Sequence, residues 1–208
     1  NPRLHPITDL YKKAQIQIEL SLNIKRANDN VYNDYRFPIS RKNLKENLKY
    51  ILLKSLILRN NSKNGIVRVK NKIKEKERIT KHYFDSLETL KSEKPDFVFC
   101  TNQRITQAVA PILAAQDLGI PTATFIFSWD NLPKGTKILD TDYYFVWSNH
   151  MKDELKYYYP YIKDEQIFVT GTTQFEPHFE KELLISKEQF FKDNNLDINK
   201  KYICFSGD

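Results

Sequence analysis

Cysteine is scarce in this chain: the two cysteines, Cys100 and Cys204, lie far apart. Neither has a second cysteine or a histidine at the spacing of a zinc site or a redox pair. We expect both to be reduced thiols inside buried strands of an intracellular protein. The four histidines are scattered without metal spacing, so the sequence predicts no metal site.

Glycine-rich phosphate-binding motifs are also missing. The chain has five glycines, and none forms a Gly-x-Gly-x-x-Gly fingerprint, a phosphate loop or a nucleophile elbow. These absences argue against a nicotinamide oxidoreductase, an NTPase and an α/β-hydrolase. There is no signal peptide and no apolar run near about 18 residues, so we do not expect this portion to span a membrane.

Positive charge is distributed unevenly along the chain. Residues 1–94 carry 22 Lys+Arg against 10 Asp+Glu, whereas residues 95–208 carry 11 against 16. Most of the surplus lies between Arg41 and Lys81, with 14 basic and 3 acidic residues. Such a block faces nucleic acid, an anionic membrane or solvent. Its only aromatic residue is Tyr50, which argues against a stacking platform for single-stranded nucleic acid.

Four short apolar runs rich in β-formers indicate the fold class. They are Phe97–Cys100, Pro121–Phe127, Tyr143–Trp147 and Ile167–Val169. Helical segments follow the first and third runs, and a polar loop follows the second. This order predicts an α/β fold, a doubly wound parallel sheet of Rossmann-like type covered on both faces. Ligands of such sheets bind beyond the carboxyl ends of the strands.

The first part of the chain reads as helical. We expect helices over Ile7–Ile24, Lys42–Leu58 and Val67–Ser92, with a loop at Asn60–Gly65. The segment from Lys42 to Leu58 has the pattern of a basic amphipathic helix. Its basic side either meets an anionic membrane or is the solvated side of a helix packed on the core.

Polar residues follow the first strand at the predicted ligand-binding edge. They are Thr101, Asn102, Gln103 and Arg104. Arg104 is the only arginine after Arg78, which suggests an anion clamp. A surface ion pair explains it equally well.

The loop after the second strand combines a carboxylate with several polar groups. Asp130 is placed as a general base for a substrate hydroxyl, and Lys134 beside a glycine suits a phosphate or a sugar hydroxyl. Ser128, Trp129 and Asn131 stand around them. The same Asp-Asn-x-Pro sequence is also good turn chemistry, with Asp130 capping its own backbone.

A third polar loop, Thr170–Glu176, follows the fourth strand. Gly171 allows backbone N–H groups to approach a ligand or to open a helix. Alternatively, Gly171 only makes the turn.

Several segments together resemble a known family. In order, they are similar to the first domain of bacterial glycosyltransferases with two Rossmann-like domains (the GT-B type), closest to uncharacterised members of surface-polysaccharide biosynthesis. The resemblance covers roughly residues 79–208. The segments are Lys94–Phe99, Leu118–Thr122, Phe127–Gly135, Val146–Ser148 and Val169–Glu176.

The resemblance implies that this part of the chain holds the acceptor and that the donor is a nucleotide-sugar bound mainly by a second domain. Such a domain often also holds the catalytic base, and on this hypothesis we expect Asp130 in that role. We expect the acceptor to be lined by Thr101, Asn102, Arg104, Ser128, Trp129, Asn131 and Lys134. We expect the donor cleft to be bordered by Gly171, Thr172, Gln174, Ser206 and Gly207. No bound metal or other cofactor is expected.

The resemblance also implies a domain organisation. Residues 1–78 would be a basic, mainly helical segment, 79–180 the βα units of the acceptor domain, and 181–208 a linker with the first strand of a truncated donor domain. Tyr202 to Asp208 reads as that strand and its glycine turn. We therefore expect a fragment of a longer two-domain protein, inactive on its own.

The expected function is transfer of a sugar to a glycan or lipid-linked acceptor. The expected location is cytoplasmic, with peripheral attachment to the inner face of the cell membrane through Lys42–Leu58. Two alternatives remain open. One is a sugar-nucleotide 2-epimerase or a glycerophosphate-polymer transferase of the same architecture. The other is a non-enzymatic, nucleic-acid-binding α/β protein, although no nucleic acid partner is expected.

Overall fold

A computed structural model describes residues 4–205, which form two compact units divided after Gly171. The first unit contains a four-stranded sheet and most of the helices, and the second begins at Thr172. The helices are α1 (Thr8–Ala27), α2 (Leu44–Asn60), α3 (Lys63–Glu77), α4 (Lys81–Glu93), α5 (Val109–Asp117), α6 (Asn149–Tyr158) and α7 (Lys187–Asp193). The strands are β1 (Val98–Cys100), β2 (Thr122–Phe125), β3 (Tyr143–Val146) and β4 (Ile167–Val169).

The sheet is parallel throughout, with the strands side by side in chain order. Each strand lies within or at one of the four predicted apolar runs, so the predicted α/β class with a parallel sheet is confirmed. The strand order β1-β2-β3-β4 proceeds across the sheet in one direction without a reversal. Because parallel crossovers share one hand, the connecting helices of such a sheet lie on the same side of it.

The two faces of the sheet differ among the described residues, so the doubly wound arrangement covered on both faces stays a prediction. On one face, strand residues such as Tyr144 and Val146 pack with α6, and Val98 and Cys100 pack with α5. Within the first unit, α5 and α6 both lie on that face, and the opposite face carries aromatic side chains. Its residues are Phe97, Phe99, Tyr143, Phe145 and Phe168, whose rings contact one another.

In the helical part of the chain that precedes β1, side-chain caps set the helix boundaries. These boundaries correct two predictions. The predicted loop Asn60–Gly65 is only a two-residue connection, because α3 starts directly after Ser62, whose side chain accepts a hydrogen bond from the N–H of Gly65. The predicted long helix over Val67–Ser92 is broken. Thr80 accepts a hydrogen bond from the N–H of Tyr83 and starts α4 as a new helix.

Helix α2 is packed by the side opposite to its leucine stripe. Leu53 is buried with Ala14, Ile18 and Val69 of α1 and α3. The α2 stripe, which we define as Leu44, Leu48, Ile51, Leu52 and Leu58, is 55–77 % exposed. Among the described residues, no helix has the combined length and apolar character needed to cross a membrane.

Among its described residues, the second unit lacks the strand predicted near its end. Residues 201–205 have no strand pairing, and Cys204 is exposed there, contrary to its predicted burial. No other strand of this unit lies within the described residues to pair with it. Cys100, by contrast, is half-buried in β1 as a free thiol. Residues 206–208 lie outside the described residues, so the glycine turn predicted there is not described.

Candidate functional site

A pocket of about 400 Å³ opens beyond the carboxyl ends of the first two strands. Three of the predicted acceptor residues line it: Asn102 and Arg104 after β1, and Lys134 after β2. We call it the cationic pocket. Its other lining residues are Lys12, Ile16, Tyr35, Phe37, Ile105 and Thr136.

The loop after β1 is shaped by a local turn and tied to α1. The Asn102 side chain accepts a hydrogen bond from the N–H of Arg104 at 3.1 Å. The Lys12 ammonium donates to the carbonyl of Arg104 at 2.7 Å. Burial lowers the pKa of Lys12; the Asp9 charge opposes this shift and the Arg104 charge adds to it. The Arg104 guanidinium lies 5.7 Å above the ring of Phe127. Two cations are thus held close together at one wall of the pocket.

The loop after β2 is organised around Asp130. A short 3₁₀ turn, Trp129–Asn131, follows the strand. One carboxylate oxygen of Asp130 accepts from the Ser128 hydroxyl at 2.6 Å and from the Asn131 amide at 3.0 Å. The other oxygen accepts from the Lys134 ammonium.

These donors control the charge of Asp130. The hydrogen bond from Lys134, with those from Ser128 and Asn131, lowers the pKa of Asp130 to about 2. The carboxylate is therefore ionised at neutral pH, and it neutralises Lys134. In the same loop Asn131 is buried, whereas Trp129 is 63 % exposed.

Gly135 allows the loop to pass close to α1. Its φ of +63° is one that side-chain-bearing residues rarely adopt, and a Cβ there would stand 3.0 Å from the Glu19 Cβ. Directly after it, the Thr136 hydroxyl donates to the carbonyl of Asn131 at 2.9 Å. This turn brings Lys134 and Thr136 to the pocket wall.

The electrostatic balance of the pocket is positive. Lys12, Arg104 and Lys134 line it, and Asp130 compensates only Lys134. Within residues 4–205 no salt bridge joins Lys12 or Arg104 to a carboxylate. Such an arrangement favours an anionic ligand, and phosphate groups match the arginine fork particularly well.

A buried cation fixes the polypeptide just beyond the pocket. Lys137 is fully buried, ion-paired with Asp140 and surrounded by the rings of Tyr144, Tyr159 and Tyr161. Burial opposes ionisation of Asp140, but the Lys137 charge keeps the pKa of that carboxyl well below its ordinary value. None of the residues of this cluster lines the cationic pocket, so we assign the cluster a structural role.

Several predicted site residues are not brought to the pocket wall. Thr101, Ser128, Trp129, Asp130 and Asn131 belong to the neighbouring loops without lining it. The predicted donor-cleft residues are divided between the two units: Gly171 ends the first, with φ +74°, and Thr172 and Gln174 lie in the second. Ser206 and Gly207 lie outside the described residues. Their donor-cleft role stays a prediction.

Sequence reasoning missed the contribution of the N-terminal part. Lys12 and Ile16 come from α1, and Tyr35 and Phe37 come from the segment after it. Lys134 lies 5.7 Å from the ring of Tyr35. No motif marks these positions, since they reach the pocket only through contacts between residues far apart in the chain, such as that of Lys12 with Arg104.

No group of three or more His, Cys, Asp and Glu side chains within residues 4–205 is arranged to hold a metal ion. No protein-family model matches the chain, and neither does any curated protein or solved structure.

Proposed function

We propose that this chain forms the acceptor-binding side of a glycosyltransferase that moves a sugar from a nucleotide-sugar to a glycan or lipid-linked acceptor in bacterial surface-polysaccharide synthesis. The observation that carries the proposal is the cationic pocket, at the carboxyl edge of a parallel sheet. That edge is where α/β folds of this kind bind ligands. The sequence resemblance to GT-B enzymes supplies the reaction class.

The pocket residues suggest how an acceptor is held. Arg104 and Lys12 would bind a phosphate or carboxylate of the acceptor, because neither has a carboxylate partner among the described residues. Asn102 and Thr136 would supply polar contacts to sugar hydroxyls. A positive pocket also raises the local concentration of an anionic acceptor and speeds its association.

Asp130 has two rival roles that predict different kinetics. As the proposed general base, it would take the proton of the acceptor hydroxyl. Its low pKa and its three hydrogen-bond donors instead favour a positioning role, in which it holds Lys134 against the pocket. A carboxylate that titrates near pH 2 is a weak base at neutral pH.

The test is sugar transfer by the full-length protein, supplied with UDP-, GDP- and CDP-sugars and with membrane extract as acceptor. Transfer of a sugar to an acceptor supports the proposal. Release of a nucleoside monophosphate with a glycerophosphate product would point to the polymer transferase, and isomerisation of the donor sugar to the epimerase. No consumption of any donor would refute a sugar-transfer function.

Asp130→Asn separates the two roles of this residue, with Asp85→Asn on α4 as the control. Loss of a general base lowers kcat by about 10²-fold or more. Loss of a positioning contact raises KM and leaves kcat within about tenfold. Lys134→Gln should reproduce the second pattern, since it removes the same ion pair.

We further propose that the α2 stripe rests on an anionic membrane surface. Its apolar side chains are exposed, and Lys45 and Lys54 flank it at helical spacing. The only carboxylate of α2 is Glu46. It lies seven residues, about two helical turns, before Leu53, which places it on the packed side of the helix. An apolar stripe with basic flanks is the pattern of helices that lie in a membrane interface.

Vesicle sedimentation tests this surface. We expect binding to vesicles rich in phosphatidylserine, weak binding to phosphatidylcholine alone, and loss of binding in Leu48→Glu. Each basic side chain near such a surface contributes about 1 kcal/mol, so binding should weaken as salt rises. Ile79→Glu, which changes an exposed isoleucine outside α2, is the control. Equal binding by both variants would contradict the proposal.

A further inference from the structure

An apolar groove of about 510 Å³ adjoins the cationic pocket. It lies between the start of α1 and α2, in the size range of ligand sites in proteins. Its apolar walls are Ile7, Leu10, Pro38, Ile39, Leu52 and Leu53.

The groove and the cationic pocket are neighbours on the first unit, because Phe37 lines both of them. On α1, Lys12 faces the pocket and the next residue, Lys13, faces the groove. The segment over residues 35–40 walls the pocket at one end and the groove at the other. The two sites are therefore adjacent, which is the arrangement that a ligand with two chemically different ends requires.

Four charged residues line the groove, namely Asp9, Lys13, Glu46 and Lys49, and both carboxylates already have partners. Asp9 forms an ion pair with Lys13 at 2.9 Å. Glu46 accepts hydrogen bonds from the Ser40 hydroxyl at 2.7 Å and from the Lys42 N–H at 2.8 Å. These carboxylates are thus satisfied at the rim. The apolar walls of the groove remain suited to hydrocarbon, with Lys49 as its one cation outside an ion pair among the described residues.

We propose that the first unit binds a lipid phosphate, with its anionic head in the cationic pocket and its hydrocarbon tail in the groove. The charge of the pocket matches the head and the apolar walls match the tail. Leu52 belongs both to the groove and to the α2 stripe, so the tail leaves the groove on the side that we assign to the membrane. The proposal deepens the proposed function, on which the identity of the ligand as an acceptor depends.

Binding of alkyl phosphates to the chain, measured by calorimetry below their micelle concentrations, tests the ligand class without a sugar donor. Affinity should rise about fourfold for each added methylene until the groove is full, which corresponds to about 0.8 kcal/mol per buried CH₂. The matching alkyl alcohol should bind at least about tenfold more weakly, because it lacks the charge. Inorganic phosphate should bind weakly. Equal binding of alcohol and phosphate, or no gain with chain length, would overturn the proposal.

Matched variants locate the two ends of the ligand. Leu52 lines the groove and Leu44 does not, although both belong to the exposed α2 stripe. Leu52→Glu and Leu44→Glu are therefore a matched pair. Only Leu52→Glu should weaken long-chain binding, by about tenfold, and it should leave inorganic phosphate unaffected. Arg104→Gln should weaken every phosphate ligand and spare the alcohol. Equal effects of the two leucine variants would place the tail elsewhere and refute the groove.

The outcome separates this proposal from the proposed function. If alkyl phosphates bind with these dependences and no sugar is transferred, the lipid-phosphate site stands and the glycosyltransferase fails. If sugar is transferred to acceptors without a lipid and alkyl phosphates do not bind, the glycosyltransferase stands and this proposal fails.

Discussion

Replacing Asp130 by asparagine should reveal how strongly the loop after β2 depends on its ion pair. The pKa of Asp130 falls from 3.8 to about 2 in the folded chain, first because of Lys134 and then because of Ser128. At about 1.4 kcal/mol per pKa unit, this difference corresponds to about 2.5 kcal/mol. The Asp130 and Lys134 side chains are 27 % and 36 % exposed, so solvent screening reduces the expected contribution to about 1–2 kcal/mol.

The sign of the effect follows from a pKa that is lower in the folded chain than in the unfolded chain. The stabilisation is fully present above about pH 4 and is lost as the pH falls through about 2. In urea unfolding at pH 7, we expect Asp130→Asn to lower the free energy of unfolding by about 1–2 kcal/mol. The difference from wild type should shrink as the pH falls toward 2.

The Lys81–Asp85 pair provides a control with the same four-residue separation but far greater exposure, 85 % and 55 %. Asp85→Asn should change stability by less than about 0.5 kcal/mol. If Asp130→Asn is as stable as wild type at pH 7, or if its deficit is unchanged near pH 2, the ion pair does not organise the loop as we describe.

Two further substitutions test the loop that carries Lys134. Gly135→Ala combines a positive φ with a Cβ 3.0 Å from Glu19 and should cost about 1–3 kcal/mol in thermal unfolding, whereas Gly119→Ala has φ +73° but open space and should cost about 1 kcal/mol. Equal costs would mean that contact with α1 is unimportant. Lys137→Met should lower the free energy of unfolding by about 3 kcal/mol because it leaves the Asp140 charge uncompensated, and adding Asp140→Asn should recover part of that loss. A double variant that is no more stable than Lys137→Met would contradict the ion-pair account.

The sequence predicted the sheet because its signals are local. Each strand, for example Tyr143–Val146, is a short run of β-branched or aromatic residues with polar residues after it. The position of Asn102, Arg104 and Lys134 follows from that alternation, since parallel strands end at one edge. The groups that complete the pocket, such as Lys12, depend on long-range packing of α1 and have no local signal.

Helix periodicity predicted the helices better than their orientation. The α2 stripe repeats at helical spacing, yet the side carrying Leu53 packs against α1 and α3. Both sides of α2 are apolar enough to be buried, so the pattern alone does not choose between them. The break before α4 was missed for a related reason: Thr80 is compatible with a helix interior, and only its hydrogen bond to the N–H of Tyr83 shows that it is a cap.

Arg104 is the proposed anion-binding residue of the cationic pocket, and the proposed function depends on it most directly. The decisive measurement is kcat/KM for sugar transfer to the acceptor by the full-length protein, comparing wild type with Arg104→Gln and with Arg68→Gln, a change outside the pocket. A charge-assisted hydrogen bond contributes about 1.5–3 kcal/mol, so we predict a loss of about 10- to 100-fold for Arg104→Gln, mainly through KM. Unchanged kcat/KM in Arg104→Gln, or an equal loss in Arg68→Gln, would contradict the assignment of this pocket to the acceptor.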